Sequence, residues 1–232
     1  MKTVILAAGV GSRMRPLTNT THKSLLNVGD KPIIRRQLDV FKNLNLTDTR
    51  VVLGYFHNLM HDYLKNEVDF VYNPFYRSTN SIASLWLATM NIDDDILITN
   101  ADVIFDEELI RKMISNENDI NIAVSKQWNN ERGYKAEVIN GFVIDMGMDI
   151  SQAKISGEYA GVIFVSKKMV QKLKEQCNKF LMEQQFNIWF EDLIVDLIKG
   201  GANAKAIYVN PQNWYEIDTV KELEYARNKF RK

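Results

Sequence analysis

The residues best suited to chemistry lie in Leu6-Ala7-Ala8-Gly9-Val10-Gly11-Ser12-Arg13, with Lys23 a short step beyond. The loop has almost no side-chain bulk before its arginine. Gly9 and Gly11 allow positive φ and a close backbone approach to whatever lies above. Successive free N–H groups in such a loop form a concave anion site. Arg13 and Lys23 add fixed positive charge, and a polyphosphate needs that combination. A carboxylate follows at a second place, in Asn100-Ala101-Asp102. Magnesium takes one or two carboxylates and fills its shell with water and phosphate oxygens, so Asp102 is chemically sufficient as an anchor. Ser78, Thr79, Asn80 and Ser81 crowd one helix start, where one caps and the others offer hydrogen bonds, a nucleobase being a good candidate.

The elements that must hold these residues alternate. Val4-Ile5-Leu6 reads as a buried strand feeding the glycine loop. A helix starts at Asp30-Lys31-Pro32, with Asp30 as cap, and Ile34, Leu38 and Phe41 on its inner face. Val51–Leu53 is a second strand, His57–Leu64 a helix, Val68–Tyr72 a third strand, Ser81–Met90 a helix and Asp95–Thr99 a fourth strand. Asp102 thus sits beyond a strand's carboxyl end, the edge where open parallel sheets bind ligands. Beyond about Asn116 the pattern changes. Ile120–Val124 is a strand, Ala136–Ile139 and Phe142–Met146 a hairpin around Asn140-Gly141, and Ser156–Phe164 another strand. Helices over Lys168–Lys174 and Asn187–Lys199, a strand over Ala204–Val209 and a helix over Val220–Phe230 complete the chain.

Composition narrows the classes. The 232 residues are 46% hydrophobic and 25% charged, with 29 basic against 29 acidic side chains. A balanced charge supplies no global field for nucleic acid or an anionic membrane. A single cysteine, Cys177, excludes an internal disulfide and reads as a small core residue. No leader pattern opens the chain and no apolar run approaches a membrane span, so a soluble cytoplasmic protein is expected. His57 and His61 lie four apart without a following Glu or an evident third ligand, which reads as a solvated helix face.

Neither common phosphate loop is present. The Walker pattern is missing, the third glycine of the dinucleotide fingerprint is replaced by Met14, and Pro16 interrupts the helix that should follow. What stands instead is Leu-Ala-Ala-Gly-x-Gly-x-Arg-Met, then Pro-Leu-Thr, then Lys23-Ser24-Leu25-Leu26. It resembles the signature of the sugar-phosphate and choline-phosphate nucleotidyltransferases. Asn80-Ser81-Ile82-Ala83-Ser84-Leu85 resembles a stretch of the choline-phosphate and aminoethylphosphonate cytidylyltransferase branch, and Trp214-Tyr215-Glu216-Ile217-Asp218-Thr219 resembles the family's segment before its terminal helix. The resemblance implies an α/β fold: a Rossmann-like, mostly parallel sheet with helices on both faces, and an α+β acceptor-binding half. With no linker in sight, residues 1–232 form one domain, about 1–116 binding nucleotide and about 117–232 the acceptor. It also implies Mg²⁺ held by Asp102 and Asp218, CTP as donor, and pyrophosphate as leaving group. Arg13, Lys23 and Asp102 become the catalytic candidates. Leu6, Ala7, Ala8, Gly9, Gly11, Ser12, Arg13, Asn80, Ser81 and Ala101 become the nucleotide contacts.

The acceptor is less sharply drawn. Gly157-Glu158-Tyr159-Ala160-Gly161 resembles a strand of the choline-phosphate branch, and Trp128, Glu158, Tyr159, Trp189 and Glu191 would surround a cationic head group. Lys126, Arg132 and Lys135 would instead meet a carboxylate. Met148 follows Gly147 where relatives often carry Lys. Phosphocholine, 2-aminoethylphosphonate and a phosphorylated amino acid or amide all stay open. The alternatives are a sugar-1-phosphate nucleotidyltransferase and a non-catalytic nucleotide sensor. A nicotinamide-dependent oxidoreductase is disfavoured by Gly54-Tyr55, where an acidic residue should close the second strand. Met- and aromatic-rich patches in the second half leave room for a homodimer.

Overall fold

The computed structural model describes residues 1–115, 118–127 and 133–231. In chain order the elements are β1 (Lys2–Ala7), the short pair β2 (Asn27–Val28) and β3 (Lys31–Pro32), α1 (Ile33–Asn43), β4 (Thr49–Leu53), α2 (His57–Leu64), β5 (Asp69–Tyr72) and α3 (Ser81–Thr89). There follow β6 (Ile96–Asn100), β7 (Val103–Ile104), α4 (Glu107–Ile114), β8 (Ile120–Ser125), β9 (Lys135–Ile139), β10 (Phe142–Gly147) and β11 (Gly157–Val165). The chain closes with α5 (Lys167–Met182), α6 (Phe190–Lys199), β12 (Ala204–Tyr208), β13 (Tyr215–Glu216) and α7 (Val220–Lys229).

A nine-stranded sheet runs β5-β4-β1-β6-β11-β8-β12-β10-β9. The block β5-β4-β1-β6 is parallel throughout, as the alternating strand and helix pattern predicts. The sheet as a whole is mixed. β11 runs antiparallel to both β6 and β8, and β10 antiparallel to β12 and β9. Beyond β6 the connections include a hairpin rather than helical crossovers alone, so "mostly parallel" describes the first half and not the second.

Strand alternation splits the core. Val4, Val52, Ile98 and Ile163 pack on one face with α3, α5 and α6. Ile5, Val51, Leu97 and Val162 pack on the other with α1, α2 and α4. Helices therefore cover both faces. A third, smaller cluster joins Met14, Val28, Ile33, Ile104 and Ile217 to α7.

Several boundaries differ from the sequence reading. Asp30 does not cap α1. The chain makes a tight β2–β3 turn with Gly29 at φ 66°, the helix begins after Pro32, and Asp30 instead accepts from Arg36. Helix α5 continues past Lys174 because Cys177 carries on the apolar stripe begun by Met169, Val170 and Leu173. Helix α6 starts at Phe190, since Trp189 is still extended at its N-cap. Cys177 is fully buried and burial pushes its thiol up to about 12, as a packing residue requires. The rings of His57 and His61 rest against Tyr72 and Phe70.

Candidate active site

A cleft of about 300 Å³ opens at the carboxyl ends of β1 and β6. Its floor is the glycine loop, Leu6 to Arg13, which after Ala7 leaves the strand and turns through short 3-10 segments rather than entering a helix. Gly11 has φ 61°, and a Cβ there would stand 3.1 Å from the Cβ of Lys23, so this glycine is required by backbone and packing alike. Gly9 is different. Its φ is not in the left-handed region and a Cβ would meet nothing within 4 Å. Among the described residues nothing demands that glycine, which lines the cleft.

Lys23 is the centre of the charge arrangement. Its ammonium donates to Asp102 Oδ2 at 2.8 Å and to Asp218 Oδ1 at 2.6 Å, and Arg13 Nη1 lies 3.0 Å from the other oxygen of Asp218. Burial works against the lysine's charge, but the two carboxylates outweigh it and hold the pKa above its ordinary value. Neither Asp102 nor Asp218 is taken up in capping a helix. Asp106 Oδ1 caps α4 by accepting from Leu109 N, and Thr219 with Glu222 forms the capping box of α7. Both aspartates are thereby free to face the cleft.

The backbone around them is clamped by residues that pattern reading passed over. Gln37 of α1 donates to the carbonyls of Asn100 and Val103, each at 2.8 Å, gripping the turn that carries Asp102. Its only sequence signal is an amide inside the apolar stripe Ile33, Ile34, Leu38, Phe41. His22 Nδ1 accepts from Ser24 N at 3.1 Å, which fixes the turn that aims Lys23. Burial lowers the imidazole pKa to about 4, against an opposing contact with the Ala7 backbone and with the Lys23 charge adding to the lowering, so the ring is neutral near pH 7. Asn73 supports the loop before α3 through Ser84 Oγ and the N–H of Phe75. Glu216, two residues before Asp218, is driven far above the ordinary carboxyl range by burial, with Asp102 and Asp218 adding to it.

Asn80 and Ser81 line the cleft, and both also join the two halves. The Asn80 side chain caps α3 by accepting from Ser81 N, and Ser81 Oγ accepts from Phe190 N at 2.8 Å. The serine hydroxyl retains its own proton to donate. Ala101 and Asn100 complete that wall.

The acceptor candidates separate. Trp189 and Glu191 line the cleft. Glu158 does not: its carboxylate is buried in an ion pair with Lys135 at 3.0 Å, facing a second hollow beside Trp214 and Tyr215. Burial raises its pKa and Lys135 only partly offsets this. Tyr159 lies behind Phe190, their rings edge to face at 6.4 Å. Trp128 and Arg132 lie outside the described residues.

Residues 3–184 match the MobA-like NTP transferase domain. The CTP:phosphoglutamine cytidylyltransferase of Campylobacter jejuni is 26% identical, over 97% of this chain and 98% of its own. The choline-phosphate cytidylyltransferase of Haemophilus influenzae is 33% identical, over 68% of this chain and 67% of its own. The solved structure of the CTP:phosphocholine cytidylyltransferase from Streptococcus pneumoniae shares the fold, with a TM-score of 0.81 at 22% identity, covering 98% of this chain and 97% of that one. With a family match over most of its length and cytidylyltransferases as its full-length relatives, this chain is a nucleotidyltransferase and belongs to the MobA-like NTP transferase domain family.

Proposed function

We propose that the protein is a cytoplasmic, Mg²⁺-dependent cytidylyltransferase that moves CMP from CTP onto a small phosphorylated or phosphonate acceptor. The product would serve as the activated donor for modifying a surface polysaccharide or a lipid head group. The acceptor is phosphocholine-like, an aminoethylphosphonate, or a phosphorylated amino acid or amide. One observation carries the reading: a buried lysine held between two aspartates at the mouth of a glycine-rich loop.

In the reaction an acceptor oxygen attacks the α-phosphorus of CTP, the bond from that phosphorus to the bridging oxygen breaks, and pyrophosphate leaves with the electron pair. The attacking group is already ionised at neutral pH, so no general base is needed. Two anions must meet, and charge neutralisation with alignment dominates. The N–H groups of Ala8 to Ser12, with Arg13, hold the β- and γ-phosphates. Lys23 bridges the acceptor and α-phosphates. Asp102 Oδ1 is buried without a hydrogen-bond partner, which fits an oxygen reserved for a cation. Asp102 and Asp218 are the residues that would hold Mg²⁺, and the ion would supply Lewis-acid neutralisation at the α-phosphate.

Pyrophosphate release measured with CTP, UTP, ATP and GTP against phosphocholine, 2-aminoethylphosphonate, phosphoamino acids and hexose 1-phosphates tests the reading. Turnover confined to CTP with one acceptor class, reduced by roughly 100-fold or more in Lys23→Ala and Asp102→Ala, is the expected result. Turnover with a hexose 1-phosphate alone, or nucleotide binding without any turnover, would overturn it.

A further inference from the structure

The N–H groups of Gly9, Val10, Gly11 and Ser12 donate to no backbone carbonyl among the described residues. The carbonyls flanking this run are engaged from outside the loop. Ala8 O accepts from Tyr55 N at 3.1 Å, and Gly11 O accepts from Thr18 Oγ1 at 2.8 Å as well as from Met14 N at 3.0 Å. In a trans peptide the N–H points opposite to the carbonyl. Holding Ala8 O therefore sets the direction of the Gly9 N–H, and holding Gly11 O sets that of Ser12. One bond ties the two braces together, since Tyr55 Oη donates to Thr18 O at 3.1 Å. Thr18 is fully buried, with its Cγ2 3.4 Å from where a Cβ on Gly11 would stand. The segment carrying Tyr55 is pressed against the back of the loop. A Cβ on Gly54 would meet Ala8 O at 2.6 Å, and Phe56 is held at φ 51°, a left-handed conformation that a bulky residue adopts only where its surroundings impose it.

Resting on the proposed transferase reading, we infer that Thr18 and Tyr55 are positioning residues for the leaving pyrophosphate. They lock the peptide planes of the glycine loop so that its N–H groups meet the β- and γ-phosphates already aligned. Neither side chain lines the cleft, so each acts on a ligand only through the loop. Fixed dipoles stabilise charge without reorganising at the moment of reaction, and a loop that must be ordered by its ligand spends part of the binding energy on that ordering. Glycine offers no steric barrier to rotation of its peptide planes, which is why the brace has to come from elsewhere. Without the Thr18 hydroxyl, Gly11 O keeps only the Met14 N–H of its own short turn. The Gly11–Ser12 peptide then loses its one tie to the rest of the fold.

Calorimetric titration of CTP and of CMP, each with Mg²⁺, into the wild type, Thr18→Val, Thr18→Ser and Tyr55→Phe is the test. CMP brings the base, the ribose and the α-phosphate but nothing for the β- and γ-phosphate cradle. Thr18→Val should weaken CTP by roughly tenfold, the scale of one lost hydrogen bond, and leave CMP within about twofold. Thr18→Ser restores the donor and should recover most of the loss. Tyr55→Phe should move CTP in the same direction by less and leave CMP alone. In turnover, the KM of CTP should rise with its Kd while the KM of the acceptor stays put. Should Thr18→Val fail to fold, Tyr55→Phe, which removes a single oxygen, carries the same comparison. Equal weakening of CTP and CMP would overturn the inference, as would CTP binding unchanged in both variants. A wild type that binds CTP no more tightly than CMP would also overturn it, since the loop would then hold no β- or γ-phosphate. A loss confined to CTP, in a protein that transfers CMP to no acceptor, would support the brace and refute the transferase reading, so the two fail separately.

Discussion

Glu191 shows how one buried carboxyl changes the behaviour of the folded state. Burial raises its pKa from an ordinary 4.5 to about 8, with Asp192 and Asp102 adding to the rise while its own backbone N–H and the Asn100 side chain oppose it. The folded protein therefore binds a proton that the unfolded chain has already released. A carboxyl raised on folding gives its full stabilisation below the unfolded pKa and loses it as pH rises through the folded one. Between pH 4.5 and 8 this group makes stability fall by about 1.4 kcal/mol per pH unit relative to a neutral side chain. Denaturant unfolding of the ligand-free protein and of Glu191→Gln, from pH 5 to 9, measures it. The variant should gain on the wild type steadily up to about pH 8 and then run parallel. Curves that stay parallel across the range would place the carboxylate in an environment that already tolerates its charge.

At the scale of elements, the decisive contact is between α1 and the turn joining β6 to β7. Gln37 is almost fully buried and its amide nitrogen serves two carbonyls on either side of Asp102. An apolar replacement of similar length, Gln37→Met, leaves both carbonyls short of a donor inside the core. Stability should fall by roughly 2 kcal/mol. Pyrophosphate release should fall further than for a variant of equal instability placed in α2, because the Asp102 turn loses its grip. Equal losses at the two positions would reduce Gln37 to a packing residue. The same scale explains Asn80 and Ser81. They stitch the start of α3 to the entry of α6, Asn80 donating to the Asn187 carbonyl and Ser81 Oγ accepting from Phe190 N, so two sides of the cleft share one set of hydrogen bonds.

For the whole molecule, ligand binding and stability are linked. A ligand that binds only the native state adds about 2.7 kcal/mol at a hundred times its Kd. In a chain of this size that is a rise in Tm of roughly 5–10 °C. CTP with Mg²⁺ should produce such a shift, and UTP at the same concentration a clearly smaller one, read by calorimetry or differential scanning fluorimetry. Equal shifts would remove the case for cytosine selection. Nine strands carry both walls of the cleft in a single sheet, with β11 inserted antiparallel between β6 and β8. Its bulge at Gly161, where a Cβ would stand 2.5 Å from Val103 Cγ1, lets β11 pass close against the strand that follows Asp102.

What the sequence by itself determined is local: apolar runs and helical stripes place most of the elements, and the glycine loop with Arg13, Lys23 and Asp102 names most of the charged cluster, Asp218 being added by the family resemblance. These are legible because periodicity and short-range turn chemistry depend on neighbours a few residues apart. Gly9 is a correction to that reading in part: its φ lies outside the left-handed region that Gly11 needs, and among the described residues no atom beyond its chain neighbours lies within 4 Å of where its Cβ would stand. Tertiary structure alone decided the rest. That Lys23 meets Asp218, 195 residues later, depends on chain crossing and not on spacing. The same holds for Glu158, read as a head-group ligand but paired with Lys135 across β9 and β11. Gln37 and His22 act through buried backbone partners that no pattern announces. Antiparallel insertion of β11 likewise leaves no local mark, because a fully buried strand reads the same in either direction.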